Sequence, residues 1–212
     1  GVGGVWGGGG AAGPCAWNAG ADQRPPGGGM GALEGGAGLA RALGVWLTGL
    51  RLVVCWPVLV GASALYAVVF VQAALYADAA LQGVFVALSL YGWWQWLRGV
   101  RAQGHVQVAL APGAGRLWWH MGGAGLAGLG LALVLRQWTD DPTPMADALL
   151  SAYSVLAQFW SARRYRQNWL LWGVVDGFYT LLFAERALWV TAALYAGFVV
   201  LAVRGWQKWG QE

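Results

Sequence analysis

Asn168, Trp172, Asp176 and Tyr179, in the run NWLLWGVVDGFYT, are spaced by four, four and three positions. In a helix that spacing puts them on one face, so an amide, an indole, a carboxyl and a phenol point the same way. Trp169 lies beside the stripe, and Trp56 opens a related segment elsewhere in the chain. Indole faces stack flat rings, at about 1 to 3 kcal/mol per base in nucleic-acid complexes and more for a desolvated cation. Gln82 and Ser89 lie seven apart on one face of another segment, and Gln158 follows later. Amides both donate and accept hydrogen bonds. The set suits recognition of a flat, amide-bearing or hydroxylated ligand. The competing account is a group of helix-to-helix hydrogen bonds that only hold a fold.

Bond-making chemistry finds little support. His105 and His120 are the only histidines, and neither stands at a ligand or triad spacing from a Cys, Asp or Glu. There is no metal signature, no cofactor motif and no glycine-rich phosphate loop followed by Lys-Ser or Lys-Thr. The expectation is a protein that is not an enzyme. Cys15 and Cys55 form no disulfide framework. The thirteen Lys and Arg are scattered, which argues against nucleic acid as a partner.

The elements that must hold these residues follow from composition. Hydrophobic residues make up 58% of the 212 and charged residues only 10%, too few to coat a soluble domain of this size. The remaining solvent is the lipid bilayer. Residues 1–32, with thirteen glycines and three prolines, read as a disordered leader. Seven apolar spans follow, near Leu33 to Leu50, Trp56 to Gln72, Ala74 to Tyr91, Leu117 to Leu135, Met145 to Ala162, Trp169 to Ala184 and Ala187 to Val203. Each approaches the length at which a helix crosses about 30 Å of hydrocarbon. With seven crossings one side receives Arg51, Arg98, Arg101, Arg116, Arg163, Arg164, Arg166, Arg204 and Lys208, and the other Arg24, Arg41, Arg136 and Arg186. The positive-inside rule then places the N-terminus outside and the C-terminus in the cytoplasm. Trp93, Trp94, Trp96, Trp118, Trp119, Trp138, Trp206 and Trp209 fall near span ends and read as interfacial anchors.

The chain repeats itself. A shift of 113 residues places Trp56 on Trp169, Tyr66 on Tyr179, Phe70 on Phe183, Phe85 on Phe198, Gly92 on Gly205 and Trp96 on Trp209, with 14 identities in the 42 positions from Cys55 to Trp96. So biased a composition gives roughly one in ten by chance. The same shift relates the first span to the fifth. The expected fold is an all-α integral membrane protein whose seven helices form two parallel three-helix repeats, residues 33–96 and 144–209. The segment 97–143, a loop and a linking helix, joins them in a three-plus-one-plus-three arrangement. The linking span is rich in small residues, Gly122, Gly123, Gly125, Gly128 and Gly130, as close helix packing requires. Parallel repeats put a substrate near the midplane between them.

The stretches VCWPVLVGASALYAVVFVQAALYADAALQ, LSLYGWWQWLRG and ARRYRQNWLLWGVVDGFYTLLF resemble the bacterial nicotinamide riboside transporters of the PnuC family, over about residues 33 to 210. The resemblance implies an inner-membrane protein that takes up nicotinamide riboside by facilitated diffusion, with trapping by a cytoplasmic nucleoside kinase. It also implies a use for the stripe. A pyridinium amide sits between indoles, its carboxamide met by Asn168 or a Gln and its ribose by Asp176 or a neighbour. Which of Trp169 and Trp172 stacks is open, as are homo-oligomer formation and ion coupling. The alternatives are a same-fold carrier for another vitamin or nucleoside such as thiamine, and a membrane scaffold or sensor that transports nothing.

Overall fold

The computed structural model describes residues 28–72, 76–109, 111–138, 144–185, 187 and 189–211. These form seven helices, α1 (Gly28–Gly49), α2 (Cys55–Gln72), α3 (Tyr76–Gln103), α4 (Ala114–Trp138), α5 (Pro144–Ala162), α6 (Asn168–Glu185) and α7 (Trp189–Lys208). Most of the leader lies outside the described residues. Its last residues do not: α1 begins at Gly28, before the expected boundary at 33. Glycine disfavours helix by about 1 kcal/mol per residue in water. In lipid a helix satisfies its own backbone polar groups where water cannot, and this favours continuing it.

The largest difference in length is at α3, which runs to Gln103 rather than ending near Tyr91. Arg98 extends the helix by packing its guanidinium 4.6 Å from the centre of the Trp94 ring, one turn back. Gly104 ends it, with φ +80° and its N–H donated to the Val100 carbonyl at 2.7 Å.

The helices are inside out compared with a soluble bundle. On α6 the exposed row is Leu170, Val174, Phe178 and Leu181, while Asn168, Asp176 and Tyr179 are buried. Apolar side chains also face outward on α2 (Leu65, Val68, Val71) and α4 (Leu126, Leu129, Leu133). Such a surface is covered by hydrocarbon, not water. Taken singly, only α2 and the body of α4 among the described helices are apolar enough over a full span to mark a membrane crossing, with mean hydropathy 1.7 and 1.3. Helices α1, α3, α5 and α6 carry amides or charges on the faces they turn inward.

Packing produces a closed ring. Helix α1 packs on α2, α2 on α3, α3 on α5, α5 on α6, α6 on α7 and α7 back on α1. Helix α4 packs on α5 alone and stands outside the ring. Its glycines divide accordingly. A Cβ at Gly125 or Gly128 would meet Tyr153 or Leu149 of α5, whereas Gly122, Gly123 and Gly130 have open space around them.

Candidate functional site

Two reversed turns, 113 residues apart, position the wall of the central cavity. Between α1 and α2, Arg51 takes φ 59°, and between α5 and α6, Arg164 takes φ 65°. The hydrogen bonds correspond one by one: Arg51 N–H to Thr48 carbonyl and Arg164 N–H to Ser161 carbonyl, both 3.0 Å, then Leu52 to Leu47 at 3.1 Å and Tyr165 to Trp160 at 3.0 Å. The second turn also clasps its helix by a side chain, the Ser161 hydroxyl donating to Asn168 Oδ1 at 2.9 Å, whereas Thr48, the counterpart of Ser161, donates to the Gly44 carbonyl of its own helix at 2.8 Å.

The turns deliver Trp56 and Trp169 to the start of α2 and α6. Trp56 packs against Gly92, where a Cβ would overlap the ring, and Trp169 packs against Gly205 in the same way. Trp96 meets Trp56 edge to face at 5.2 Å and 87°, and Trp209 meets Trp169 at 5.6 Å and 85°. Trp96 and Trp209 also approach each other at 6.0 Å. The four indoles thus form one chain across the bundle.

This corrects the expectation for Trp96 and Trp209. Both are buried, at 0% and 2% exposure, and are not interfacial anchors. Trp94, Trp118 and Trp119 are exposed, as anchors require, and the side chain of Trp138 lies outside the described set. Trp96 and Trp209 match each other and Trp94 corresponds to Gln207, but Trp93 and Trp206 also match and are only half-buried, so the repeat alone does not separate the two groups.

Above this indole chain all six ring helices line a cavity, and α4 contributes nothing to it. Most of the wall falls into pairs at the same shift: Val45 with Gln158, Thr48 with Ser161, Trp56 with Trp169, Leu59 with Trp172, Ser63 with Asp176, Phe85 with Phe198 and Ser89 with Ala202. The pairs match in place more than in chemistry. Gln158, Trp172 and Asp176 come from the second half, and Arg41 and Ser63 from the first.

Six of the residues singled out in the sequence therefore stand on the wall: Trp56, Ser89, Gln158, Trp169, Trp172 and Asp176. Gln158 Nε2 donates to Ser89 Oγ at 3.1 Å, which joins α5 to α3. The indole N–H groups of Trp56 and Trp169 are buried and make no hydrogen bond among the described residues. Buried donors are rarely left so.

Three others lie behind the wall. Asn168 is fully buried, with Nδ2 donated to the Tyr165 carbonyl at 2.6 Å as well as the Ser161 contact, so it secures the turn. Tyr179 packs against Phe183 and against Tyr195, which is itself on the wall. Gln82 is fully buried one turn from Phe85 on α3, with neither amide atom hydrogen-bonded among the described residues. Replacing Asn168 by alanine is expected to cost about 1 to 3 kcal/mol of stability, because the Ser161 hydroxyl loses its buried acceptor. Ligand affinity of the folded fraction should change little. Thermal unfolding in detergent beside a ligand titration separates these effects.

The sequence reading missed Arg41, Ser63, Tyr66, Phe85, Tyr195 and Phe198 on the wall. Arg41 falls among the outer charges by the loop count. It instead points inward, with its guanidinium carbon 5.7 Å from the centre of the Phe85 ring. For the rest, the repeat held the signal: Ser63 is the counterpart of Asp176, and Phe85 and Phe198 are one of the identities. Among the described residues no group of His, Cys, Asp or Glu is arranged to hold a metal ion.

A ring of lipid-facing helices around a polar and aromatic cavity, built from two matched halves, defines the class of membrane carriers with internal repeats. Comparison with known proteins agrees. The sequence profile described as nicotinamide mononucleotide transporter matches residues 31–211, and the chain belongs to that family. It is therefore a multi-pass membrane transporter and not an enzyme.

Among its relatives, the nicotinamide riboside transporter PnuC of Escherichia coli is 24% identical over 169 residues, 68% of this chain and 71% of the relative. The riboflavin/roseoflavin transporter RibM of Streptomyces davaonensis is 29% identical over 140 residues, 64% of this chain and 62% of the relative. A crystal structure of the vitamin B3 transporter PnuC superposes with a TM-score of 0.63 at 21% identity, covering 85% of this chain and 81% of the other. That likeness is one of fold.

Proposed function

We propose that this chain carries nicotinamide riboside across the bacterial inner membrane by facilitated diffusion, with phosphorylation by a cytoplasmic nucleoside kinase keeping the gradient inward. One observation carries the reading. Trp56 and Trp169, whose buried indole N–H groups make no hydrogen bond among the described residues, line a cavity that also holds Trp172, the Gln158–Ser89 pair and Asp176.

The roles divide by how each ring is held. Trp56 and Trp169 are clamped by Gly92 and Gly205, so they serve as wall and as N–H donors. Trp172 is half-buried and supplies the stacking face for the pyridinium. The Gln158 amide and Ser89 hydroxyl suit a carboxamide, and Asp176 suits the ribose hydroxyls and the cationic ring together. Asn168, Tyr179 and Gln82 support this wall from behind, and the amide atoms of Gln82, unpaired among the described residues, are the reserve for a ligand group that reaches past Phe85.

The architecture in this proposal is two three-helix repeats, residues 33–96 and 144–209, with 97–143 as linker and the ligand at their pseudo-twofold seam. The N-terminus faces outward and the C-terminus the cytoplasm. Arg51, Arg98, Arg101, Arg163 and Arg164 gather at the end closed by the four indoles, which supports that orientation even with Arg41 removed from the outer group. A second reading, a carrier for another vitamin, draws on the riboflavin/roseoflavin relative.

Liposomes containing only the purified protein should take up labelled nicotinamide riboside saturably, with no ion gradient imposed. Entry no faster than into empty liposomes would sink the proposal. Competition by unlabelled riboflavin or thiamine stronger than by nicotinamide riboside itself would move it to the second reading.

A further inference from the structure

Arg41 lies on the cavity wall among uncharged neighbours of its own helix, Val45 and Thr48. It lines the same cavity as the Asp176 carboxyl, and its guanidinium rests near Phe85. A guanidinium keeps its proton at any physiological pH, so this is a permanent positive charge inside the membrane-spanning ring. Such charges are costly there and mark function by default. The repeat sharpens the point. The counterpart of Arg41 is Ser154 and that of Asp176 is Ser63, so each half supplies one charged group where the other has a serine.

We infer that Arg41 is a specificity-determining residue that sets the net charge of the cavity, weighing against cationic rings and letting neutral flat heterocycles of the same shape compete for the site. The inference rests on the cavity being the substrate site proposed above. Asp176 alone would attract a pyridinium. With Arg41 in the same cavity, part of that attraction is cancelled, and a ligand with an uncharged ring forgoes less. Discrimination here is a difference between two ligands, with Arg41 as the repulsive element.

The test uses one ligand in two charge states. Nicotinamide riboside has a cationic ring, and its dihydro form has a neutral ring with the same sugar and carboxamide. Affinities of both are measured on the purified full chain by calorimetry in detergent, for the wild type and for Arg41→Gln, Arg41→Met and Arg41→Lys. The neutral variants should shift the affinity ratio toward the cation by about tenfold or more, while Arg41→Lys should stay within about threefold of wild type. Asp176→Asn should shift it the opposite way. A ratio unchanged in Arg41→Gln and Arg41→Met overturns the inference and leaves the transport reading standing. Loss of folding in both neutral variants with Arg41→Lys folded also overturns it, in favour of a structural role. Failure of the wild type to bind either form overturns the nicotinamide reading and the inference together.

Discussion

Gly205→Ala is expected to abolish uptake and to lower the unfolding temperature in detergent. A Cβ at Gly205 would overlap Cδ2, Cε2 and Cε3 of Trp169, and that ring cannot retreat because Trp209 abuts it edge to face. Overpacking of this kind costs about 1 to 3 kcal/mol. The direction left for Trp169 is the cavity whose wall it forms. Gly92→Ala should behave alike through Trp56. Gly61→Ala and Gly177→Ala are the controls, because a Cβ at either meets open space. Normal uptake and an unchanged melt in Gly205→Ala would show that Trp169 is not clamped, and the assigned division of labour among the tryptophans would fall with it.

Trp172→Ala should weaken ligand binding by a factor of about 5 to 150, the equivalent of about 1 to 3 kcal/mol of lost stacking. It should do so with little loss of stability, since Trp172 is half-buried. Trp169→Ala should show the reverse balance. Removing a ring that is 2% exposed costs about 3 to 5 kcal/mol of stability. Trp172→Phe keeps a flat face and should recover most of the affinity. Calorimetric titration paired with thermal unfolding reads both variants. Equal affinity losses in Trp169→Ala and Trp172→Ala, with equal melts, would contradict the assignment of stacking to Trp172.

These two substitutions also show how much of the site was legible in the sequence. The face spacing of Trp172 and Asp176 was enough to place both on one wall, because helical period is a local property. Asn168 belongs to the same face by spacing, yet it is consumed by Ser161 and the Tyr165 carbonyl. Spacing reports direction and cannot report whether a turn has already claimed a side chain. Arg41 failed for a related reason. A lone cation in the middle of the first span counts with the loop charges under a rule built on loops, and only the shared cavity with Phe85 and Asp176 places it inward. The repeat was the most informative signal. It carried the paired Trp–Gly contacts, the matched turns and most of the wall, and even its mismatches, such as Ser63 against Asp176, marked where the halves diverged.

The ring also bears on how the protein is made. Its closing contact joins α7 to α1, and its other cross-half contact joins α3 to α5. As the helices leave the ribosome in order, the first three can settle against one another early, but the wall from α7, with Tyr195, Phe198 and Ala202, arrives last. Recruitment of the final helix is thus the step that closes the chamber. A nascent chain stalled before α7 would hold nearly the whole sequence and a cavity still open on one side.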